Sequence, residues 1–258
     1  MRTVVLMVVV SLLTLTALVP VRPTPQLRSA SSFTFLQNVV QAHVVPTFEP
    51  SEEAHTPLPL HKLFRSVGRL VTDREGGSCS CARVKHTSYL ISAAHCAKSS
   101  DETTEVIFPR YLTDKVERGT SAPIHATPVY VDVKNDISIF YAKTLPQDDF
   151  GLELSDKEPG LGQRGFQFGY PITGGLNLTM DVGTMAGIVS IAGEDTVKWS
   201  INVAHGNSGG PILNSKGKII GLSVAGWADR AGLIAYSPRM YALRAAFNFV
   251  KHVSAEKN

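Results

Sequence analysis

The segment Gly206-Asn207-Ser208-Gly209-Gly210-Pro211 decides how this sequence is interpreted. A serine between glycines can occupy a tight turn that leaves backbone N–H groups pointing at a negatively charged oxygen. On its own the segment is equally typical of an ordinary glycine-rich hairpin turn. Its meaning therefore depends on which residues lie upstream and downstream.

The segment also satisfies the pattern G-x-S-x-G, which marks the nucleophile of α/β-hydrolases. In that class an acid and then a histidine follow the serine along the chain. Only Asp229 and His252 could serve here, and they leave too little chain for the remaining strand–helix units. The α/β-hydrolase interpretation is therefore excluded.

Two candidate partners for Ser208 lie upstream. The segment Ile91–Cys96 ends an apolar run with His95 beside a cysteine, and Asp136 precedes the alternating run Ile137–Phe140. A histidine at a strand end can offer one ring nitrogen to a serine and the other to a carboxylate, which fixes the tautomer. Asp132 is the rival acid, but it lies inside the preceding strand. The order His95, Asp136, Ser208 thus predicts nucleophilic catalysis.

Composition excludes several classes of function. Hydrophobic residues make up 43% of the 258, enough for a sizeable core and too many for a disordered protein. The net charge is only +3 and no basic run exceeds two residues, so nucleic acid is not an expected partner. Three cysteines are too few for a disulfide framework and lack metal-site spacing with histidine. We therefore expect no metal and no cofactor.

The texture of the chain from Leu63 onward predicts an all-β fold. Short apolar runs alternate with turn residues at a spacing typical of sandwiches or paired barrels. The end of the chain is the exception, because its apolar residues recur on one face of a helix. The predicted strands are Val67–Val71, Tyr89–Ala93, Val106–Phe108, Val129–Val133, Ile137–Ala142, Gly165–Gly169, Met185–Ile191, Val197–Val203, Ile219–Val224 and Leu233–Tyr236, and the helical face is Leu243, Ala246, Phe247, Val250 and Val253.

With these motifs in this order, the chain resembles the chymotrypsin-like (trypsin-fold) serine peptidases over roughly Leu63 to Val253. The family's three motifs correspond here to ISAAHC, NDISIF and GNSGGP. The resemblance implies two six-stranded antiparallel β-barrels with a C-terminal helix, and protein or peptide substrates. It makes Ser208 the nucleophile, His95 the general acid/base and Asp136 the orienting acid. The backbone N–H groups of Gly206 and Ser208 would form the oxyanion hole.

The sequence departs from the pancreatic branch of that family beside the nucleophile. There an aspartate precedes the serine and pairs with an amino terminus freed by cleavage, whereas Asn207 stands at that position here. The compact hairpin that follows Ser208, in GNSGGPILNSKGKIIG, is similar to the HtrA, glutamyl endopeptidase and viral branches. We therefore expect no activation by an inserted terminus.

The resemblance also suggests which residues contact substrate. Asn202 holds the position whose charge sets specificity in trypsin-like enzymes, and it is not the aspartate that selects Arg or Lys. Val224 and Ala225 would line one wall and pair with the substrate backbone. These matches predict a neutral, partly polar pocket, although shifted loop lengths are an equal alternative.

The resemblance further implies a disulfide in the first barrel, between the cysteine that follows the histidine and one upstream. Cys81–Cys96 is the preferred pairing, and Cys79 is the rival partner of Cys96. Asn177-Leu178-Thr179 forms a glycosylation sequon, whose use depends on a eukaryotic secretory route.

The N-terminal residues predict export. Met1 and Arg2 precede an apolar stretch from Val4 to Val19, so residues 1–19 are interpreted as a signal peptide, with an uncleaved anchor as the alternative. Residues 20–61 are interpreted as a pro-segment or linker, although 32–45 could instead be an arm packed on the domain. Residues 62–258 would form the peptidase domain. The product is expected to be secreted, without stable membrane association after cleavage.

Three functions are therefore carried forward. The first is a secreted serine endopeptidase that works through an acyl-enzyme on Ser208. The second is a catalytically silent or latent homologue that acts as a binding protein. The third is an esterase or transacylase that uses the same three residues.

Overall fold

The computed structural model describes residues 62, 65–72, 77–97, 103–108, 122–145, 150–174, 177–191, 193–229 and 232–256. The predicted signal peptide, residues 1–19, lies outside the described residues, as does the predicted pro-segment or linker, residues 20–61. Among the described residues, no helix is long and apolar enough to cross a membrane.

The first half of the described chain forms a closed antiparallel barrel. Its six strands are β1 (Val67–Val71), β2 (Ser78–Arg83), β3 (Tyr89–Ser92), β4 (Thr104–Ile107), β5 (Ile124–Asp132) and β6 (Ile137–Tyr141). They are arranged in the order β1-β2-β3-β6-β5-β4, which leaves no unpaired edge. Leu70, Leu90, Val106 and Ile139 are fully buried in the core of this barrel. The first predicted barrel is confirmed.

The second half forms a seven-stranded sheet. Its strands are β7 (Arg164–Gly169), β8 (Thr179–Ile191), β9 (Glu194–Asn202), β10 (Pro211–Leu213), β11 (Ile219–Leu222), β12 (Ala225–Asp229) and β13 (Gly232–Pro238). Their order is β11-β10-β7-β8-β9-β13-β12. Trp199, Ile201 and Ile212 are buried in its core.

The resemblance implies six strands in the second barrel, whereas the sheet has seven. The two counts agree if β11 and β12, the two edge strands, are one strand, since they follow each other directly along the chain. Only Ser223 and Val224 separate β11 from β12. Ser223 N donates to Gly210 O at 2.8 Å and Val224 N donates to Tyr236 O at 3.0 Å, so the pairing continues through this bend. Counted as one bent strand, β11 and β12 complete a ring of six.

Strand β2 is the main element that hydrophobic patterning misses. Its sequence SCSCAR contains no β-branched or aromatic residue, which is why periodicity gives no strand signal there. All six of its residues are nevertheless buried, because β2 pairs with β1 and β3 inside the barrel and faces the second sheet through Ser80. Small side chains suit this crowded position.

The predicted C-terminal helix is present as α1, Met240–Ala255. Leu243, Ala246, Phe247 and Val250 are buried, as their helical spacing predicts. The helix begins without a local side-chain cap. Instead Glu158 accepts hydrogen bonds from two of the first backbone N–H groups, at 3.1 Å from Met240 N and 2.7 Å from Tyr241 N. A carboxylate at this end also complements the helix dipole.

Candidate active site

His95 and Asp136 are brought together at one end of the first barrel. Strand β3 ends at Ser92, and a single turn of 3-10 helix, Ala94–Cys96, carries the histidine. His95 N donates to Asp136 Oδ1 at 2.9 Å, and His95 Nδ1 lies 2.7 Å from Asp136 Oδ2. The carboxylate thereby favours the proton on Nδ1 and leaves Nε2 for a second partner. The two side chains are 46% and 26% exposed, so a substrate can reach the imidazole.

A tight turn aims Asp136 at the histidine. Asp136 has a φ of 53°, a left-handed conformation that aspartate tolerates better than most residues. The rival acid Asp132 holds this turn, because its Oδ1 accepts hydrogen bonds from Lys134 N at 3.0 Å and Asn135 N at 3.1 Å. Asp132 therefore shapes the loop, while Asp136 contacts the imidazole.

Backbone contacts place the Ser208 loop against the histidine segment. Ser208 O accepts a hydrogen bond from Ser80 N at 2.7 Å and lies 3.8 Å from Cys96 Sγ, one residue from His95. Gly209 has a φ of 80°, and a Cβ there would collide with Ser92 and Ala93. Only glycine permits this close approach.

The Ser208 hydroxyl itself makes no hydrogen bond within the described parts of the chain. Its predicted link to His95 Nε2 is therefore not formed in this structure. Such hydrogen bonds are often long before substrate binds, so the geometry is compatible with catalysis.

The backbone N–H groups of the serine loop fall into two sets. Those of Asn207, Gly209 and Gly210 donate to the carbonyls of Ala204, Ser223 and Asn207, respectively. Those of Gly206 and Ser208 donate to no described residue. Gly206 has a φ of 101°, and any Cβ at that position would collide with Tyr170 O. Within Gly206–Gly210 two donors are thus available, and they are the two predicted for an oxyanion hole.

Ser80 is a positioning residue that sequence reasoning missed. It is fully buried in β2, and its hydroxyl donates to Gly206 O at 2.7 Å while accepting a hydrogen bond from Tyr170 N at 2.9 Å. It therefore links the first barrel to the loop that carries Ser208. In the sequence Ser80 stands between Cys79 and Cys81, a pattern that indicates disulfide bonding and not the role of the serine.

The predicted substrate contacts are placed unequally. Val224 is buried and, with Asp136 and Tyr236, lines a cavity of about 130 Å³. Ala225 begins β12 and pairs with Tyr236. Asn202 is the exposed last residue of β9 and is not among the described residues that line this cavity.

The disulfide prediction was wrong in its partner. Cys79 pairs with Cys96, with Cα atoms 6.1 Å apart, and Cys81 is free and buried. Strand register explains the difference, because Cys81 lies opposite Gly68 in β1. Its sulfur occupies the space above that glycine, where an added Cβ would lie only 3.1 Å from it. Burial raises the pKa of the Cys81 thiol to about 12.

Two further predicted features are located. Asn177 is exposed, as a sequon must be to receive glycan. Asn207 is 1% exposed and its Oδ1 has no hydrogen-bond partner, as is also true of Oε1 of buried Gln167 nearby. Neither residue is charged, so no buried carboxylate at position 207 requires an ion-pair partner.

One cluster near the site has the composition of metal ligands. The sulfur atoms of Cys79 and Cys96 and a ring nitrogen of His95 all lie within 4.8 Å of one another. In this structure the two sulfurs are bonded to each other and cannot coordinate a metal ion.

Comparisons with known proteins agree with this architecture. A sequence profile described as the trypsin-like peptidase domain matches residues 77–222, more than half of the chain. The uncharacterized protein y4bJ of Sinorhizobium fredii (strain NBRC 101917 / NGR234) is 34% identical over 116 residues. That match covers 42% of this chain and only 17% of the relative, so this chain spans a small part of its length.

Three solved structures share the fold. The Rv3671c protease from M. tuberculosis in its active form has a TM-score of 0.57 at 20% identity, over 73% of this chain and 82% of that one. The inactive form of the same protease has a TM-score of 0.55 at 19% identity, over 73% of this chain and 90% of that one. The serine endoprotease from Yersinia pestis has a TM-score of 0.56 at 15% identity, over 73% of this chain and 64% of that one. By fold and by sequence, the chain belongs to the trypsin-like peptidase family.

Proposed function

We propose that this protein is a secreted serine endopeptidase that cleaves peptide bonds through an acyl-enzyme on Ser208. The observation that carries the proposal is the hydrogen-bonded His95–Asp136 pair, together with the unpaired N–H groups of Gly206 and Ser208 on either side of Asn207. Buried backbone N–H groups are normally paired, so the unpaired N–H of buried Gly206 is a donor available to an incoming oxyanion. The family membership supports peptidase activity independently.

The mechanism follows from what each group can do. Ser208 Oγ attacks the scissile carbonyl carbon while His95 Nε2 accepts its proton, and Asp136 stabilises the resulting imidazolium. The negative charge moves to the carbonyl oxygen, where the Gly206 and Ser208 N–H groups donate to it. Loss of one such donor typically costs about 3 kcal/mol in the transition state. His95 then protonates the leaving amine, and water releases the acyl group by the reverse route.

The substrate is proposed to be a peptide or protein whose recognised side chain is uncharged. Val224 contributes an apolar wall beside Asp136, and Ala225 begins the strand that would pair with substrate backbone. Asn202 supplies a neutral polar group rather than the carboxylate that attracts Arg or Lys. Esterase or transacylase activity would use the same nucleophile. Assays with ester substrates and with acyl acceptors distinguish these activities from peptide hydrolysis.

Secretion is proposed from the apolar N-terminal stretch together with the Cys79–Cys96 disulfide, which persists in oxidising compartments. In that case residues 1–19 are removed as a signal peptide and residues 20–61 act as a pro-segment or linker. Asn177 would then be open to glycosylation in a eukaryotic secretory pathway.

A latent or non-catalytic binding homologue is the second candidate. The observation that favours it is the missing hydrogen bond between the Ser208 hydroxyl and His95 in the described structure. A latent enzyme would form that bond only after removal of residues 20–61 or on binding substrate. A binding homologue would never form it.

Hydrolysis of a peptide library by the secreted protein distinguishes these functions. We expect the wild type to cleave internal peptide bonds and Ser208→Ala to be inactive, while Ser190→Ala, an exposed serine on β8, remains fully active. Cleavage that survives Ser208→Ala would contradict the proposal. A folded wild type that cleaves nothing, before and after removal of residues 20–61, would favour the binding homologue.

A further inference from the structure

The geometry points to a second, redox-dependent role for the residues around His95. We propose that reduction of the Cys79–Cys96 disulfide creates a zinc site from Cys79, Cys96 and His95, and that zinc there blocks the imidazole. The inhibitory part of this inference rests on the proposed peptidase function. The metal site itself does not.

The three potential ligands are already assembled. Both sulfurs and one ring nitrogen of His95 lie within 4.8 Å of one another. Ligand atoms of a tetrahedral zinc site are roughly 3.5–3.8 Å apart, as follows from Zn–S and Zn–N bonds of about 2.3 and 2.1 Å. Breaking the S–S bond lets the sulfurs separate to that distance. Two thiolates and one imidazole are a donor set that zinc prefers, with a fourth position open to water.

The surroundings of the cluster also suit a metal. Asp136 Oδ2 lies 2.7 Å from His95 Nδ1, the carboxylate–histidine arrangement that orients metal-binding imidazoles. Coordination through the other nitrogen would occupy the position that the Ser208 proton needs. The His95 side chain is 46% exposed, so an ion can reach it from solvent. Cys79 and Cys96 are buried, so their sulfurs would bind the metal on its side away from solvent.

The chemistry balances with a thiol or phosphine reductant. A dithiol transfers two electrons and two protons to the Cys79–Cys96 bond, giving two thiols and becoming a cyclic disulfide itself. Zinc then displaces one proton from each thiol. Reoxidation releases zinc and restores the free imidazole. A protein of this design is silent before its disulfide forms and becomes active once it reaches an oxidising compartment.

Cobalt(II) binding to the full-length protein tests the site without relying on activity. The protein is reduced with a phosphine, and thiolate-to-cobalt charge-transfer absorption is followed during titration, with competition by Zn²⁺. We expect one equivalent to bind the reduced protein and none the oxidised protein. His95→Ala is expected to weaken binding more than 100-fold, and Asp136→Asn roughly 10–100-fold.

Matched variants control for unrelated ligands. Cys81→Ala removes the third thiol and His125→Ala removes an exposed histidine on β5, and both are expected to bind cobalt like the wild type. The site is overturned if the reduced protein binds no cobalt, if His95→Ala binds as tightly as wild type, or if circular dichroism shows that reduction unfolds the domain. A protein that binds cobalt but cleaves no peptide retains the metal site and refutes the peptidase proposal alone.

Discussion

At the residue scale, the two acids near His95 show how position separates chemistry from architecture. Asp132 and Asp136 lie four residues apart, yet only Asp136 contacts the imidazole. The Asp132 carboxylate instead accepts hydrogen bonds from the backbone N–H groups of Lys134 and Asn135. Asp132 closes the turn that precedes Asp136, and Asp136 has a left-handed backbone and accepts hydrogen bonds from both the His95 ring and its N–H.

Replacement of Asp136 by asparagine is predicted to reduce kcat by about 10⁴-fold, because an amide favours the wrong tautomer of the imidazole. The change is isosteric and the side chain is partly exposed, so stability should change little. The measurement is kcat for the best substrate from the peptide library, compared with Asp132→Asn. An equal loss in both variants would show that turn geometry, rather than the tautomer, is what matters.

The Cys81 thiol is predicted to be unreactive in the folded protein. It is fully buried, and its pKa is raised to about 12 by desolvation. A thiol reagent at pH 8 should therefore label nothing in the native state and one site in denaturant.

The raised pKa of Cys81 also predicts the sign of a pH effect. The unfolded thiol loses its proton near its ordinary pKa of 9.0, whereas the folded thiol retains it until about 12. The stability that this residue contributes is therefore complete below pH 9 and is lost as pH rises from 9 to 12. Comparison with Cys81→Ala isolates the effect, and identical pH dependence in the two proteins would contradict it.

At the element scale, the sequence predicted what periodicity can encode. The strands rich in Val, Ile and Phe and the apolar face of α1 were predicted because alternation and helical spacing record burial directly. The small-residue strand β2 gave no such signal, and the disulfide partner could not be inferred because it depends on the register between β1 and β2. The comparison with the family favoured Cys81 as the partner of Cys96. In the structure the Cys81 sulfur instead lies against Gly68, which has no side chain to exclude it.

The start of α1 depends on a residue distant in sequence. Glu158 accepts hydrogen bonds from Met240 N and Tyr241 N and from Arg239 Nε, the last at 3.2 Å. Glu158→Ala is predicted to lower the free energy of unfolding by about 1–2 kcal/mol, typical of a lost cap. Glu256→Ala, at the exposed end of the same helix, should change it by less than about 0.5 kcal/mol. Denaturant unfolding of both variants measures the difference, and equal effects would contradict the capping role.

At the scale of the whole molecule, the first barrel supplies His95 and Asp136, the proposed base and acid, and a loop of the second sheet supplies Ser208, the proposed nucleophile. Ser80 joins these parts through its hydroxyl and its backbone N–H, which reach Gly206 and Ser208. The motif order identified the three predicted catalytic residues, since each lies in a recognisable segment. It could not identify Ser80, because its role comes from the packing of the two β structures against each other.

Ser80→Ala is predicted to lower the free energy of unfolding by about 1–3 kcal/mol, because it leaves the buried Tyr170 N–H without its acceptor. It should also slow acylation of Ser208, since Gly206, whose own N–H is one of the two proposed oxyanion donors, loses the hydrogen bond that holds its carbonyl oxygen. Ser78→Ala is the matched control in the same strand, because that buried hydroxyl has no partner to lose. Slow acylation in a Ser80→Ala protein that is still fully folded at the assay temperature separates positioning from stability.

We expect Ser208, His95 and the N–H groups of Gly206 and Ser208 to form a working acylation site. Its most direct test is labelling of the purified protein with a fluorophosphonate, followed by peptide mapping of the adduct. We expect one phosphonyl group on Ser208 in the wild type, none in Ser208→Ala, and strongly reduced labelling in His95→Ala. A folded wild type that remains unlabelled after removal of residues 20–61, or an adduct on another residue, would contradict it.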